Sequence, residues 1–265
     1  MPNRLLRRAA LPSVLLLWIA LIASALRPQL FAAPQERPGT KPDGTARQTA
    51  HPWTGSPRGP GDDFEAADRA RLLRIGQVMD DLGLKPGSAV ADIGAGGGWF
   101  TLLAARRVGP RGRVYAEDIL PKYTRFIARR ARHEGLRNVR AILGSTTDPK
   151  LPHNVMDAVM ILNAYHEFEQ PLAMLRHIRA SMKPGARLAF IERDDDDLRR
   201  QAAEAIAKTG QPKHRVDEKP DGNEFTDDHR LALPIVEREA AQAGFTKLKS
   251  YELGQDNYTL IVEKK

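Results

Sequence analysis

The chain has 265 residues, no cysteine and a formal charge of +8, with 42% hydrophobic and 28% charged residues. Such a length buries a sizeable core in one large or two small domains, and the composition excludes a wholly disordered chain, disulfides, Cys-ligated zinc, iron–sulfur clusters and thiol catalysis. The excess charge lies in residues 1–60, with 8 Lys/Arg against 2 Asp/Glu, whereas residues 61–265 hold 33 against 31 and give no sign of a nucleic-acid partner.

Arg4, Arg7 and Arg8 precede an apolar stretch from Ala9 to Leu26, broken by Pro12 and followed by small residues at Ala23-Ser24-Ala25 and Ala32-Ala33. Residues 1–33 are therefore expected to be a signal peptide, giving an exported (periplasmic or secreted) protein. The 18 residues 9–26 also reach the lower limit for a membrane span, so an uncleaved anchor is one alternative. A misassigned start, leaving the protein cytoplasmic, is the other. Residues 34–61, rich in Pro, Gly, Gln and Arg, predict a flexible linker, and residues 62–265 a single domain.

Within that domain, apolar residues at helical spacing (Leu72, Leu73, Ile75, Val78, Met79, Leu82) predict a helix over 64–84, closed by Gly83. A strand at 89–93, a helix at 99–108, a strand at 113–118, a basic helix at 123–134 and a strand at 139–143 follow. Residues 144–156 are too short and proline-broken for a full helix. Then come a strand at 158–162, a helix at 171–182 and a strand at 188–191. An insert spans 194–225. It is read as a lid or a surface loop. Residues 228–243 predict a helix kinked or restarted at Pro234, and strands at 245–253 and 258–263 flank the hairpin turn Gly254-Gln255-Asp256. The order implies an α/β fold: a Rossmann-like, doubly wound sheet of seven strands, mostly parallel, with a C-terminal antiparallel hairpin.

The informative motif is Val90-Ala91-Asp92-Ile93-Gly94-Ala95-Gly96-Gly97-Gly98, where a strand turns into a helix. Glycines there let a ligand approach the backbone and face the free N–H groups of the helix start. Asp118 ends the next strand, 24 residues after Gly94, where a doubly wound fold places a carboxylate on ribose hydroxyls. Glu117 is the weaker candidate for that role. Asp92, beside the glycines, repels a pyrophosphate but suits a ligand carrying an ammonium group, as S-adenosyl-L-methionine does. A nicotinamide oxidoreductase is the less favoured reading.

On this motif, and on Arg113-Val114-Tyr115-Ala116-Glu117-Asp118-Ile119, Asn163-Ala164-Tyr165-His166-Glu167-Phe168 and Met182-Lys183-Pro184-Gly185-Ala186-Arg187-Leu188, the chain resembles the class I S-adenosylmethionine-dependent methyltransferases. Small bacterial members related to quinone-biosynthesis methyltransferases are the nearest in pattern. The resemblance implies that Asp92, Gly94, Ala95 and Gly96 hold the methionine part of the cofactor, Asp118 the ribose, and Ile119 the adenine face. Ser145 and Thr146 would lie at the adenine edge, and Asn163 is a further cofactor contact. Many relatives carry an aspartate near Ser145.

Tyr165 and His166 follow the fourth strand, at the edge where ligands bind, and are the candidate catalytic residues. A structural histidine is an equal reading of His166. No metal site is expected: Gln170 stands where a zinc-protease motif needs its second histidine, and Asp194–Asp197 read most simply as a solvated loop end. The expected activity is methyl transfer to an unidentified small molecule, with membrane contact only through residues 9–26 if uncleaved. The sequence does not indicate an oligomeric state. An exported binding protein that reuses the nucleoside pocket without catalysis remains open, because S-adenosylmethionine is made in the cytoplasm.

Overall fold

The computed structural model describes residues 69–209 and 230–265. Seven strands, β1 (Ala89–Ile93), β2 (Arg113–Asp118), β3 (Val139–Leu143), β4 (Met156–Leu162), β5 (Met182–Arg193), β6 (Phe245–Glu252) and β7 (Asn257–Lys264), form one sheet in the order β3-β2-β1-β4-β5-β7-β6. The first five are parallel and β7 runs antiparallel to both β5 and β6. This is the sheet anticipated from the sequence. Gln255 and Asp256 both take left-handed φ (56° and 57°), the conformation a tight hairpin turn demands.

Side chains alternate between two buried layers. Val90, Val114, Met160 and Ile191 face α1 (Ile75–Asp81) and α2 (Trp99–Val108). Ala91, Ile93, Val159, Ile161 and Phe190 face α4 (Pro171–Ser181) and α6 (Leu233–Gln242). Strands buried on both faces read as continuous apolar runs, which is why they were legible. Prolines open three helices: α3 (Pro121–His133), α4 and α6 each carry one in the first turn, where its missing N–H costs nothing.

Three expectations need correction. The helix over 64–84 is interrupted: residues 69–72 form a helical turn, and Arg74 enters the left-handed region (φ 44°) before α1 restarts at Ile75. Of the two alternatives at Pro234 the restart holds and the kink does not: residues 230–232 are not helical, Pro234 lies in the first turn of α6, and residues 228–229 lie outside the described residues. The insert is not wholly loop, since α5 (Asp196–Thr209) occupies its first part. The rest of the insert at 210–225, residues 64–68 and the leader and linker lie outside the described residues.

The sheet order positions the site. From β1 the chain winds outward to β2 and β3, and then returns to β4 on the other side of β1. The two directions diverge between β1 and β4, so a crevice opens beyond their carboxyl ends. Residues 144–155 between β3 and β4 form neither helix nor strand, leaving the end of β3 uncovered.

Candidate active site

The turn after β1 owes its shape to glycine. Gly94 and Gly96 take positive φ (65° and 51°), and a Cβ on Gly94 would stand 2.5 Å from the Ala164 Cβ. The turn thus packs directly on the segment following β4, across the crevice. The Ala95 N–H donates to the Glu117 carbonyl at 2.8 Å, tying the turn to β2.

Three carboxyl groups gather at this edge. Asp92 is buried at the end of β1, and its Oδ2 accepts the Thr101 hydroxyl at 2.5 Å. Burial pushes its pKa up to about 7, against the opposing effect of the Thr101 bond. Asp118 accepts the Gly96 N–H on Oδ2 at 2.9 Å and the Leu120 N–H on Oδ1 at 2.8 Å. Burial raises its pKa too, offset by those two amides. Glu117, which sequence reasoning ranked below Asp118, is 1% exposed. Its Oε2 lies 3.4 Å from the Gly94 N–H, and its Oε1 is buried with no partner. Burial raises its pKa to about 8.

That shift has a consequence for stability. The folded state holds the Glu117 proton up to about pH 8, whereas an ordinary glutamate gives it up near 4.5. Between those values the unfolded state binds fewer protons, so stability falls as pH rises. Asp92 acts in the same direction between 3.8 and about 7. Glu117→Gln should therefore flatten the decline and raise the melting temperature at pH 8 by several degrees, with little change at pH 4. Thermal melts across that range test it; a variant tracking the parent at every pH would show that Glu117 is not protonated in the fold.

Across the crevice, Asn163 follows β4 with φ 47°, and its buried Oδ1 meets no donor. Tyr165 does not face the crevice, contrary to the expectation from its position. Its ring is fully buried against Phe168 and Phe190, at 5.1 and 5.0 Å between centroids, and its hydroxyl donates to Glu239 at 2.7 Å. Tyr165 anchors the short 3-10 turn Tyr165–Glu167 in the core. His166 has 9% of its side chain exposed, and its Nδ1 stands 2.8 Å from Glu192 Oε2. Glu192 ends β5, is fully buried, and takes the N–H groups of Ala164 and Tyr165 on Oε1 at 3.0 and 2.6 Å. Sequence reasoning missed Glu192; its signal was a carboxylate closing the apolar run 188–191.

Ile119 and Leu143, at the ends of β2 and β3, are 46% and 43% exposed, an apolar pair suited to the faces of a flat ring. The Ser145 side chain is engaged locally, accepting the Asp148 N–H at 3.1 Å, and Thr146 is exposed. Asp194 is held by Arg199, with Nη2 at 2.5 Å, and by the Leu233 N–H, so the acidic run is partly structural.

The donor set fits a cationic, hydroxyl-bearing ligand. Asp92 and the orphaned Asn163 Oδ1 are acceptors for an ammonium group. Asp118 keeps a lone pair on each oxygen beyond those used by the two amides. A pyrophosphate would meet three carboxyl groups.

Residues 90–185 match a family model described as a methyltransferase domain. Relatives include a protein-L-isoaspartate O-methyltransferase of Pyrococcus horikoshii, 32% identical over 42% of this chain and 47% of its own length. A ubiquinone/menaquinone biosynthesis C-methyltransferase of Hydrogenovibrio crunogenus is 32% identical over 42% of this chain and 44% of its own. The chain thus spans about half the length of these relatives. A SAM-dependent methyltransferase from Aquifex aeolicus shares the fold, with a TM-score of 0.58 and 22% identity over 75% of this chain and 96% of that one. Matched sequence, strand order and an acid-flanked glycine turn coincide at one sheet edge: residues 90–185 are similar to the methyltransferase domain family, on a fold shared with S-adenosyl-L-methionine-dependent methyltransferases.

Proposed function

We propose that the protein transfers a methyl group from S-adenosyl-L-methionine to a small molecule whose acceptor atom arrives protonated. The observation that carries this reading is His166, held by buried Glu192 across the crevice from the acid-flanked glycine turn. When bound, the cofactor supplies a methyl already activated on a sulfonium, and transfer is an in-line displacement by the acceptor. The chain's own residues then have two tasks.

The first is positioning. Asp92 and Asn163 take the ammonium group, Gly94, Ala95 and Gly96 let the methionine part lie close, Asp118 takes the ribose, and Ile119 with Leu143 flank the adenine. Holding two reactants in line supplies on the order of 7–11 kcal/mol in favourable cases. The second is proton removal. Glu192 accepts from Nδ1–H, which makes Nε2 the basic nitrogen; the tautomer is assigned from this hydrogen bond. A base is needed only for an acceptor that still carries its proton, such as a hydroxyl or an acidic carbon.

Calorimetric titration of the full chain with S-adenosylmethionine, S-adenosylhomocysteine and NAD tests the cofactor half. Heat of binding is expected with the first two and none with NAD. Tight NAD binding without a response to S-adenosylhomocysteine would overturn the reading.

A further inference from the structure

The near balance of charge in residues 61–265 hides an uneven distribution. Residues 99–140 hold eleven Lys/Arg against three Asp/Glu. Two of those acids, Glu117 and Asp118, are buried in the site, and the third, Glu134, is already held by Arg106 and Arg130. The excess concentrates on α3. Lys122, Arg125, Arg129 and Arg132 are all exposed, and spacings of three, four and three residues place them within an arc of about 100° along one helix face. Ile127 and Ala131 are buried on the opposite side. None of the four forms an ion pair with another described residue. Tyr123 and Phe126, half-buried, border the stripe, and exposed Arg137, in the turn between α3 and β3, continues it.

The opposite charge gathers elsewhere. Asp194–Asp197, Glu252 and Asp256 line one groove with Arg199 at the end of β5 and the β6–β7 hairpin, but Arg199 pairs with Asp194 and Glu252, Arg200 with Asp197, and Arg230 with Asp195. Four strand spacings separate β3 from β5, roughly 19 Å. Those acids are largely neutralised by their arginines, whereas the four cations on α3 are not, so the α3 face is the one that meets a charged plane.

We infer that the basic face of α3, with Arg137, docks the domain on an anionic lipid surface. A cluster of cations on one exposed face is drawn to anionic headgroups, which long arginine stems reach, while the apolar side of α3 stays packed on the sheet. The apolar stretch at 9–26 carries the same preference for a membrane. A nucleic acid is the weaker fit, because the stripe presents no exposed aromatic platform for bases. This docking is independent of the methyl-transfer reading.

The test is co-sedimentation of the full chain with vesicles of phosphatidylcholine alone and of phosphatidylcholine mixed with phosphatidylglycerol. The triple variant R125E/R129E/R132E should lose more than about a hundredfold in binding to the anionic vesicles, since removing three cations alone costs roughly fivefold each and the reversed charges add repulsion. Binding to phosphatidylcholine alone should be unchanged, so any contribution of residues 9–26 cancels. R176E/K208E/K265E changes the net charge equally at exposed positions on other elements and should leave vesicle binding within about twofold. R125Q/R129Q/R132Q decides alone if the charge-reversed helix fails to fold, with about a hundredfold loss expected for three cations removed. Equal losses in the two charge-reversed variants, or no loss on α3, would overturn the proposal. So would stripe-dependent binding of RNA or DNA stronger than that of vesicles at the same salt.

Discussion

Replacing His166 by alanine is expected to slow methyl transfer by about 100- to 10,000-fold, the usual contribution of a general base. S-adenosylhomocysteine affinity should stay within about 0.5 kcal/mol, as for a change away from the ligand. The separation follows from the fold: His166 sits beyond β4, while Gly94, Gly96 and Asp118 hold the cofactor beyond β1 and β2. Glu192→Gln probes the same unit by another route. The glutamine oxygen can keep the amides of Ala164 and Tyr165, but its NH2 then faces His166 Nδ1. That places the histidine proton on Nε2, the wrong tautomer for accepting one from a substrate. A loss under tenfold for His166→Ala would reduce it to positioning, and loss of S-adenosylhomocysteine binding in a folded variant would place it on the cofactor instead.

Legibility followed the range of the interactions. The strands were readable because burial on both faces writes an apolar run, and the cofactor edge because Asp92, the glycines and Asp118 lie within 27 residues. The helix break at Arg74 was not readable, since arginine rather than glycine or asparagine takes the left-handed conformation there. The run Asp194–Asp197 resembled a loop end for a physical reason: Asp195 Oδ1 accepts the Leu198 N–H at 2.8 Å, and Asp196 and Asp197 occupy the first turn of α5. Acids there complement the helix dipole, so a loop-like composition marks a helix start. His166 was found from its place after a strand. Glu192, 26 residues later, pairs with it only through the β4–β5 neighbourhood that the finished sheet creates. Tyr165 shared the signal of His166, yet adjacent residues of the turn point in different directions, and its hydroxyl finds Glu239 on a helix far along the chain.

The two adjacent acids of β2 should separate in the same way. Asp118→Ala is expected to weaken S-adenosylhomocysteine binding by about 1–3 kcal/mol, the range for a charged hydrogen-bond partner. Successive strand residues point to opposite faces of the sheet. Asp118 shares its face with Asp92 through the pairing of Asp92 with Ala116, whereas Glu117 shares its face with Ile93 and Ile142. The carboxylate at the strand end is therefore the one that can take vicinal hydroxyls, with Gly96 and Leu120 fixing its orientation. Part of the loss in the alanine variant comes from freeing those two amides. Asp118→Asn isolates the charge: its side-chain oxygen still accepts from one amide, while the ribose contact is halved, so a smaller loss is expected. Glu117→Gln should leave affinity within about 0.5 kcal/mol, since its change falls on stability rather than on the ligand. Titration calorimetry of the three variants ranks them directly. A larger loss for Glu117→Gln than for Asp118→Ala would place the ribose on the other face of β2 and move the adenine toward Gly144, against which Glu117 already packs.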